Sequence, residues 1–207
     1  MGVARLLPLL LVLLAGAAQA KAPAAFKRTV AGAEVDWSAG TITAQAGSAA
    51  DIRMPGPNAA RPGAERRARA AAEEKLRAAL RALGLGKTAD DKDAIKNAAA
   101  SRIEYQSDGG VVLWLGLRFP DIVPAKQASA ALKVATAPFE FAPTIAAGEK
   151  EVRVARATYQ PMSSAPKDAV SVRRDEKGRL VLPAAHANLV ESLAGAAVVI
   201  YLEAAQP

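Results

Sequence analysis

The sequence predicts an α+β fold, an antiparallel or mixed sheet packed against two main helices in a single domain, and three observations lead to it. Two stretches, Val30 to Ala46 and Ile103 to Leu117, read as strands around glycine-bearing turns. Between them runs an alanine- and leucine-rich segment with helical spacing. Alanine supplies 51 of the 207 residues, so much of the 51% apolar content brings one methyl per residue, which suits helices laid closely on a sheet.

Taken in order, residues 1–20 read as a secretory signal: Arg5, an apolar run from Leu6 to Leu14, and Ala18-Gln19-Ala20 as a small-x-small cleavage site. The run is shorter than the roughly 20 residues a membrane span needs. Leu193 to Leu202 is also short and ends at Glu203. Cleavage after Ala20 is expected to leave a periplasmic or secreted chain with no transmembrane span. Bacterial lipoproteins carry a cysteine just after the signal; here that position is Lys21, and no cysteine occurs anywhere. Residues 21–29 are predicted to form a disordered leader. The domain is expected over 30–207, with a hairpin-helix-helix-hairpin part at 30–120 and a strand-rich part at 121–207.

In the first hairpin, Val30, Val35 and Trp37 precede Ser38-Ala39-Gly40, and Thr41, Ile42 and Thr43 follow it. Gly47 to Gly63 contains three prolines and reads as a long loop. From Ala64 a helix of about twenty residues is predicted, with Ala68, Ala72, Leu76, Leu80 and Leu83 on one face. Gly84-Leu85-Gly86 is its expected Schellman stop. Thr88 caps a predicted second helix through Ala100, with Ala94, Ile95, Ala98 and Ala99 inward. The second hairpin turns at Ser107-Asp108-Gly109-Gly110, Asp-Gly supplying positive φ angles, and returns along a strand apolar on both sides that should lie centrally in the sheet. Beyond it the pattern predicts a helix near Ala125 to Val134, a strand at Val152 to Arg156 and a resumption at Val170 to Val172. A turn at Asp175 to Gly178, a short helix at Ala184 to Leu193 and a last buried strand at Ala196 to Leu202 complete the prediction.

The absence of cysteine excludes disulfides, zinc ribbons, iron–sulfur clusters and thiol catalysis, and one histidine excludes a multi-histidine metal site. Asp90, Asp91 and Asp93 lack EF-hand spacing and read as helix-start carboxylates. Gly84 to Thr88 imitates the end of a phosphate loop without its upstream glycine, so no cofactor is expected. For catalysis the candidates are His186 with Ser163, Ser164 or Ser192, and carboxylate pairs formed by Asp36 or Asp108 with Glu104. No nucleophile-elbow motif surrounds the serines. Trp37 and Trp114 are read as core residues, a sugar-stacking platform being the other reading.

The net charge of +7 is locally concentrated. Arg61, Arg66, Arg67, Arg69, Lys75, Arg77 and Arg81 face only Glu65, Glu73 and Glu74, a net +4 on the predicted helix and the turn before it. Nine aromatics in the whole chain, with no basic-aromatic interleaving, argue against nucleic acid. Arg66, Arg69 and Arg77 are therefore the expected contacts to an anionic envelope polymer, lipid head groups or another envelope protein.

The stretch Val35 to Ala44, the loop after it, the Arg69-Ala70-Ala71 helix ending near Leu80 and the Asp108-Gly109 hairpin resemble the small bacterial envelope-lipoprotein (LPP-type) family. They are similar in pattern to the N-terminal module of the flagellar outer-membrane ring protein FlgT. Ala155-Arg156-Ala157 with the prolines after it, and Asp175 to Arg179, extend the likeness more weakly. The sequence departs from the pattern in Lys21 and in Val154, where an acidic residue is expected. The resemblance implies an α+β envelope protein with no catalytic residues to carry over. The function expected is thus a non-enzymatic envelope or interaction role, in envelope or flagellar assembly, with a periplasmic hydrolase or carbohydrate-acting enzyme as the alternative.

Overall fold

The computed structural model describes residues 26–85, 89–135 and 139–203, so the expected signal and residues 21–25 of the expected leader lie outside the described residues. The chain starts as an antiparallel meander of β1 (Lys27–Val30), β2 (Ala33–Asp36) and β3 (Thr41–Ser48). The hairpin expected at Ser38–Gly40 is the second of two. An earlier one turns at Ala31 and Gly32, whose φ values of 48° and 81° make the two-residue turn that matches strand twist. The disorder expected over 21–29 does not hold for its last four residues: Phe26 is fully buried and Lys27 to Thr29 are paired with β2.

Helix α1 (Pro57–Ala82) begins at Pro57 rather than Ala64. Pro57 stands at the first helical position, where an N–H has no partner to lose. Pro62 removes only the bond to the carbonyl of Asn58, an exposed residue near the helix start, while Ala60 and Ala64 gain burial against the sheet. Proline content alone therefore misplaced the helix start. The expected apolar face is present, with Ala68, Ala72, Leu76 and Leu80 completely buried. The predicted stop is also present: Gly84 has φ 80°, Leu85 N–H donates to Leu80 O (2.8 Å) and Gly84 N–H to Arg81 O (3.0 Å).

The second helix, α2 (Ala89–Lys96), has only eight residues, so one long helix rather than two main ones accompanies the sheets. Its expected cap Thr88 lies outside the described residues. Ile95 and Ala98 are buried as expected, but Ala99 and Ala100 already belong to β4 (Ala99–Tyr105) and are exposed. The hairpin to β5 (Val111–Arg118) closes at Gln106 and Gly110, and only Gly109 takes a positive φ (93°), Asp108 instead accepting from Gly110 N–H at 2.8 Å. The five strands run in the order β1-β2-β3-β5-β4, with β5 paired on both sides as expected and alternating between buried and half-buried residues.

After the short α3 (Phe119–Ile122), the segment predicted as a helix forms β6 (Lys126–Val134). Its alanines favour helix locally, but Ala130, Leu132 and Val134 lie opposite Val198, Ile200 and Leu202 of β13 (Ala196–Leu202), and that pairing decides. β9 (Arg156–Pro161) and β10 (Val170–Ser171) complete an all-parallel sheet, β10-β6-β13-β9. A mixed sheet, β11-β12-β7-β8, gathers β7 (Thr144–Ala147), β8 (Lys150–Arg153), β11 (Arg173–Arg174) and β12 (Leu180–Val181). The turn predicted at Asp175 to Gly178 joins β11 to β12, and a 3-10 helix at Ala184–Leu189 stands where a short helix was expected.

The two halves of the chain meet on aromatic rings. Trp37 packs against Phe119, Phe139, Phe141 and Tyr159 at centroid distances of 5.6–6.2 Å, and the buried cluster continues into both halves. Tyr159 N–H donates to Trp37 O and its hydroxyl donates to Glu140 O (2.8 Å) while accepting from Glu140 N–H (2.9 Å). Burial pushes the Tyr159 hydroxyl well above the usual phenol range. The fold is α+β with antiparallel, parallel and mixed sheets, and no helix among the described residues is long and apolar enough to cross a membrane.

Candidate functional site

Helix α1 carries the basic residues singled out from the sequence, and the fold divides them by task. Arg69 reaches off the helix: its Nη2 donates to Lys96 O (3.1 Å) and Ala98 O (3.0 Å), while Nε pairs with Glu73 (3.2 Å). It thereby ties α1 to the carbonyls at the end of α2. Arg77 is held by Glu74 (2.5 Å) and Glu73 (3.8 Å) on its own helix. Arg67 donates to Ser48 Oγ and Ala49 O, and Lys75 to Gln45 O, both anchoring the helix to β3 or the loop that leaves it. The side chains of Arg66 and Arg81 are exposed and have no hydrogen bond or ion pair among the described residues. Arg81 stands in the last turn, where positive charge suits the helix dipole. Of the three expected contacts, only Arg66 is left without a structural partner.

Next to the start of α1, inside the stretch expected as loop, is an ordered turn. Between β3 and α1, Asp51 O accepts from Met54 N–H (3.0 Å), and Asp51 Oδ1 accepts from Arg53 N–H (3.0 Å) and Nε (3.2 Å). The Arg53 hydrogen bond holds the Asp51 carboxyl below the usual carboxylate range. The result is a β-turn with Ile52 and Arg53 at its corners, Ile52 being 96% exposed and the Arg53 side chain 86% exposed. The signal available in the sequence was an isoleucine and a methionine inside an otherwise polar, proline-rich connection.

Neither the family models, nor the curated proteins, nor the solved structures contain a match to this chain.

Of the residues considered for catalysis, His186, Asp36 and Glu104 are not brought together, and Asp108, in the turn that follows Glu104, is engaged with Gly110 N–H. His186 is exposed on the 3-10 helix Ala184–Leu189, in the other half of the chain from Asp36 and Glu104. Ser164 Oγ donates to Pro161 O and Ser192 Oγ to Leu189 O, each closing a local turn, and Ser163 is exposed. Glu104 lies opposite Val112, whereas Asp36 lies opposite Thr41, itself opposite Arg118. That register separates the two carboxylates by roughly 14 Å across the sheet and roughly 20 Å along it. Asp36 serves its own hairpin, accepting from Ser38 N–H and Oγ and Ala39 N–H, with Lys27 Nζ at 3.4 Å. Partial burial pushes its carboxyl up, but the Ala39 and Ser38 donors and the Lys27 charge together hold it below the usual carboxylate range.

Trp37 is a core residue, as expected, with its ring at the junction of the halves. Trp114 differs: it is half-buried, opposite Gln45 on the face of the sheet away from α1, with the Arg102 guanidinium 4.9 Å above its ring. Arg156 is a strut whose Nη1 donates to Val123 O at 2.5 Å, and burial lowers its pKa. No group of three or more metal-ligating side chains occurs among the described residues.

Proposed function

We propose that this chain is an exported, non-enzymatic protein of the cell envelope that works by contact with an anionic partner. The signal-like first twenty residues support export to the periplasm or beyond, and the resemblance to envelope lipoproteins supports a role in envelope or flagellar assembly. Lys21 in place of an acylated cysteine supports retention by contact. The aromatic junction shared by both halves supports their folding as a single domain.

The observation that carries the contact is the division of labour on and beside α1: Arg67, Arg69, Lys75 and Arg77 are held by partners, whereas Arg66 has none among the described residues, and Arg53 on the adjoining loop, though paired with Asp51, keeps its side chain 86% exposed. Guanidinium groups free of protein partners are available for phosphate or carboxylate recognition.

The experiment is retention of the purified mature chain on isolated envelope material at about 50 and about 300 mM salt, where the screening length falls from about 14 to about 6 Å. Retention should drop several-fold with salt and again in the double variant Arg53→Gln, Arg66→Gln. Retention indifferent to both refutes the reading. The mass of the exported protein tests processing after Ala20.

A further inference from the structure

Resting on that reading, we propose that the anionic partner is a lipid bilayer surface, and that Ile52 is the side chain that enters it. All four exposed large apolar side chains among the described residues, Ile52, Met54, Ile103 and Tyr105, lie toward one pole of the five-stranded sheet. β3 ends there at Ser48, opposite Val111, which is opposite Tyr105 at the end of β4. The start of α1 packs against the same pole: the Arg61 guanidinium sits 5.4 Å over the Tyr105 ring, and the Tyr105 hydroxyl donates to Glu65 at 3.3 Å. Sequence positions fifty residues apart are thus folded into one amphipathic tip.

The tip is built rather than slack. The Asp51–Met54 turn holds Ile52 outward, and Arg67 pins the base of the loop through Ser48 Oγ and Ala49 O. Beside the apolar side chains lie Arg53 on the turn, Arg61 over Tyr105 and Arg67 at the base of the loop, against Asp51 and Glu65, and Arg66 follows on the exposed side of α1. The N-terminus of α1 adds partial positive charge, since it has no side-chain cap and no acidic residue in its first turn.

The tip presents a projecting isoleucine rather than a flat or concave apolar surface. A bilayer deforms around such a projection, receiving the aliphatic tip below its headgroups while guanidiniums meet phosphates and tyrosine sits at the boundary. The charge ring selects anionic over zwitterionic lipid.

The test is co-sedimentation of the mature chain with vesicles of phosphatidylglycerol and phosphatidylethanolamine, and with phosphatidylcholine alone. Ile52→Asp should weaken partitioning onto the anionic vesicles by about tenfold to a hundredfold, the effect expected for one branched apolar side chain. Arg66→Gln should weaken it about fivefold. In Ile52→Trp, the added emission should shift to the blue on vesicles and be quenched by brominated acyl chains. Because Ile52 and Arg66 are both solvent-exposed, circular dichroism should show all three variants folded as the parent.

Unchanged partitioning of Ile52→Asp, or unshifted emission of Ile52→Trp, overturns the proposal. Salt-sensitive retention on envelope material without affinity for anionic vesicles also overturns it, yet leaves the broader anionic-contact reading standing. Retention abolished by protease treatment of that material assigns the pole to a protein partner instead. Absence of both kinds of binding removes both readings.

Discussion

Arg69→Gln separates structural from functional cations on α1. The substitution removes two guanidinium hydrogen bonds, to Lys96 O and Ala98 O, and the pairing with Glu73. Hydrogen bonds from charged groups are worth about 1.5–3 kcal/mol each when shielded. The Arg69 side chain is 38% exposed and water can replace it at the exposed Lys96 carbonyl, so the Ala98 bond dominates at about 1.5–2 kcal/mol. The partly exposed helix pair with Glu73 adds about 0.3–0.5 kcal/mol. The expected loss is therefore about 2–2.5 kcal/mol, or a Tm lower by about 4–10 °C for a protein of this size. Urea unfolding followed by circular dichroism should show a lower midpoint at unchanged slope. Arg66→Gln, with no partner to lose, should stay within about 0.5 kcal/mol of the parent. If Arg69→Gln is as stable as the parent but loses envelope retention as Arg66→Gln does, Arg69 is a contact residue and the strut assignment is wrong.

Four further substitutions probe the fold. Ala72→Leu places extra atoms at a completely buried position under α1 and should cost about 1–3 kcal/mol by thermal denaturation, a neutral outcome contradicting the close helix-sheet contact. Gly109→Ala meets both a φ of 93° and backbone atoms of Pro57 at 2.8 and 2.9 Å from the new Cβ, so a loss above about 2 kcal/mol is expected, whereas Gly84→Ala, at φ 80° with open space around it, should lose less. For pH, the lowered carboxyl of Asp36 contributes stability that is fully present above its unfolded value near 3.8 and is lost as pH falls through the lower folded value. Acid titration of Asp36→Asn should accordingly show a shallower stability decline below about pH 4 than the parent; equal slopes would remove Asp36 from the acid response.

Readings that rest on neighbours in the chain were legible from the residues. Gly40 and Gly109 marked two hairpins, and the spacing of Ala68, Ala72, Leu76 and Leu80 marked the buried face of α1. Gly84 with Leu85 marked its end, and Ala196 to Leu202 marked the last strand. Each depends on φ preference or side-chain period, which act over a few residues. Where local preference is nearly balanced, the reading failed. Pro62 looked like a helix breaker until burial of Ala60 and Ala64 outweighed one lost hydrogen bond, and the alanines of β6 looked helical until β13 supplied a partner seventy residues away.

The candidate site was legible only as charge. The sequence by itself determined that arginines gather near α1, that no thiol or imidazole cluster exists, and where the local turns fall. Only the tertiary structure decided which of those arginines are occupied, by bringing Ala98 O within reach of Arg69 and Ala49 O within reach of Arg67. It alone gathered Ile52 and Tyr105 at one pole, because strand register, set by long-range pairing, places the ends of β3 and β4 together.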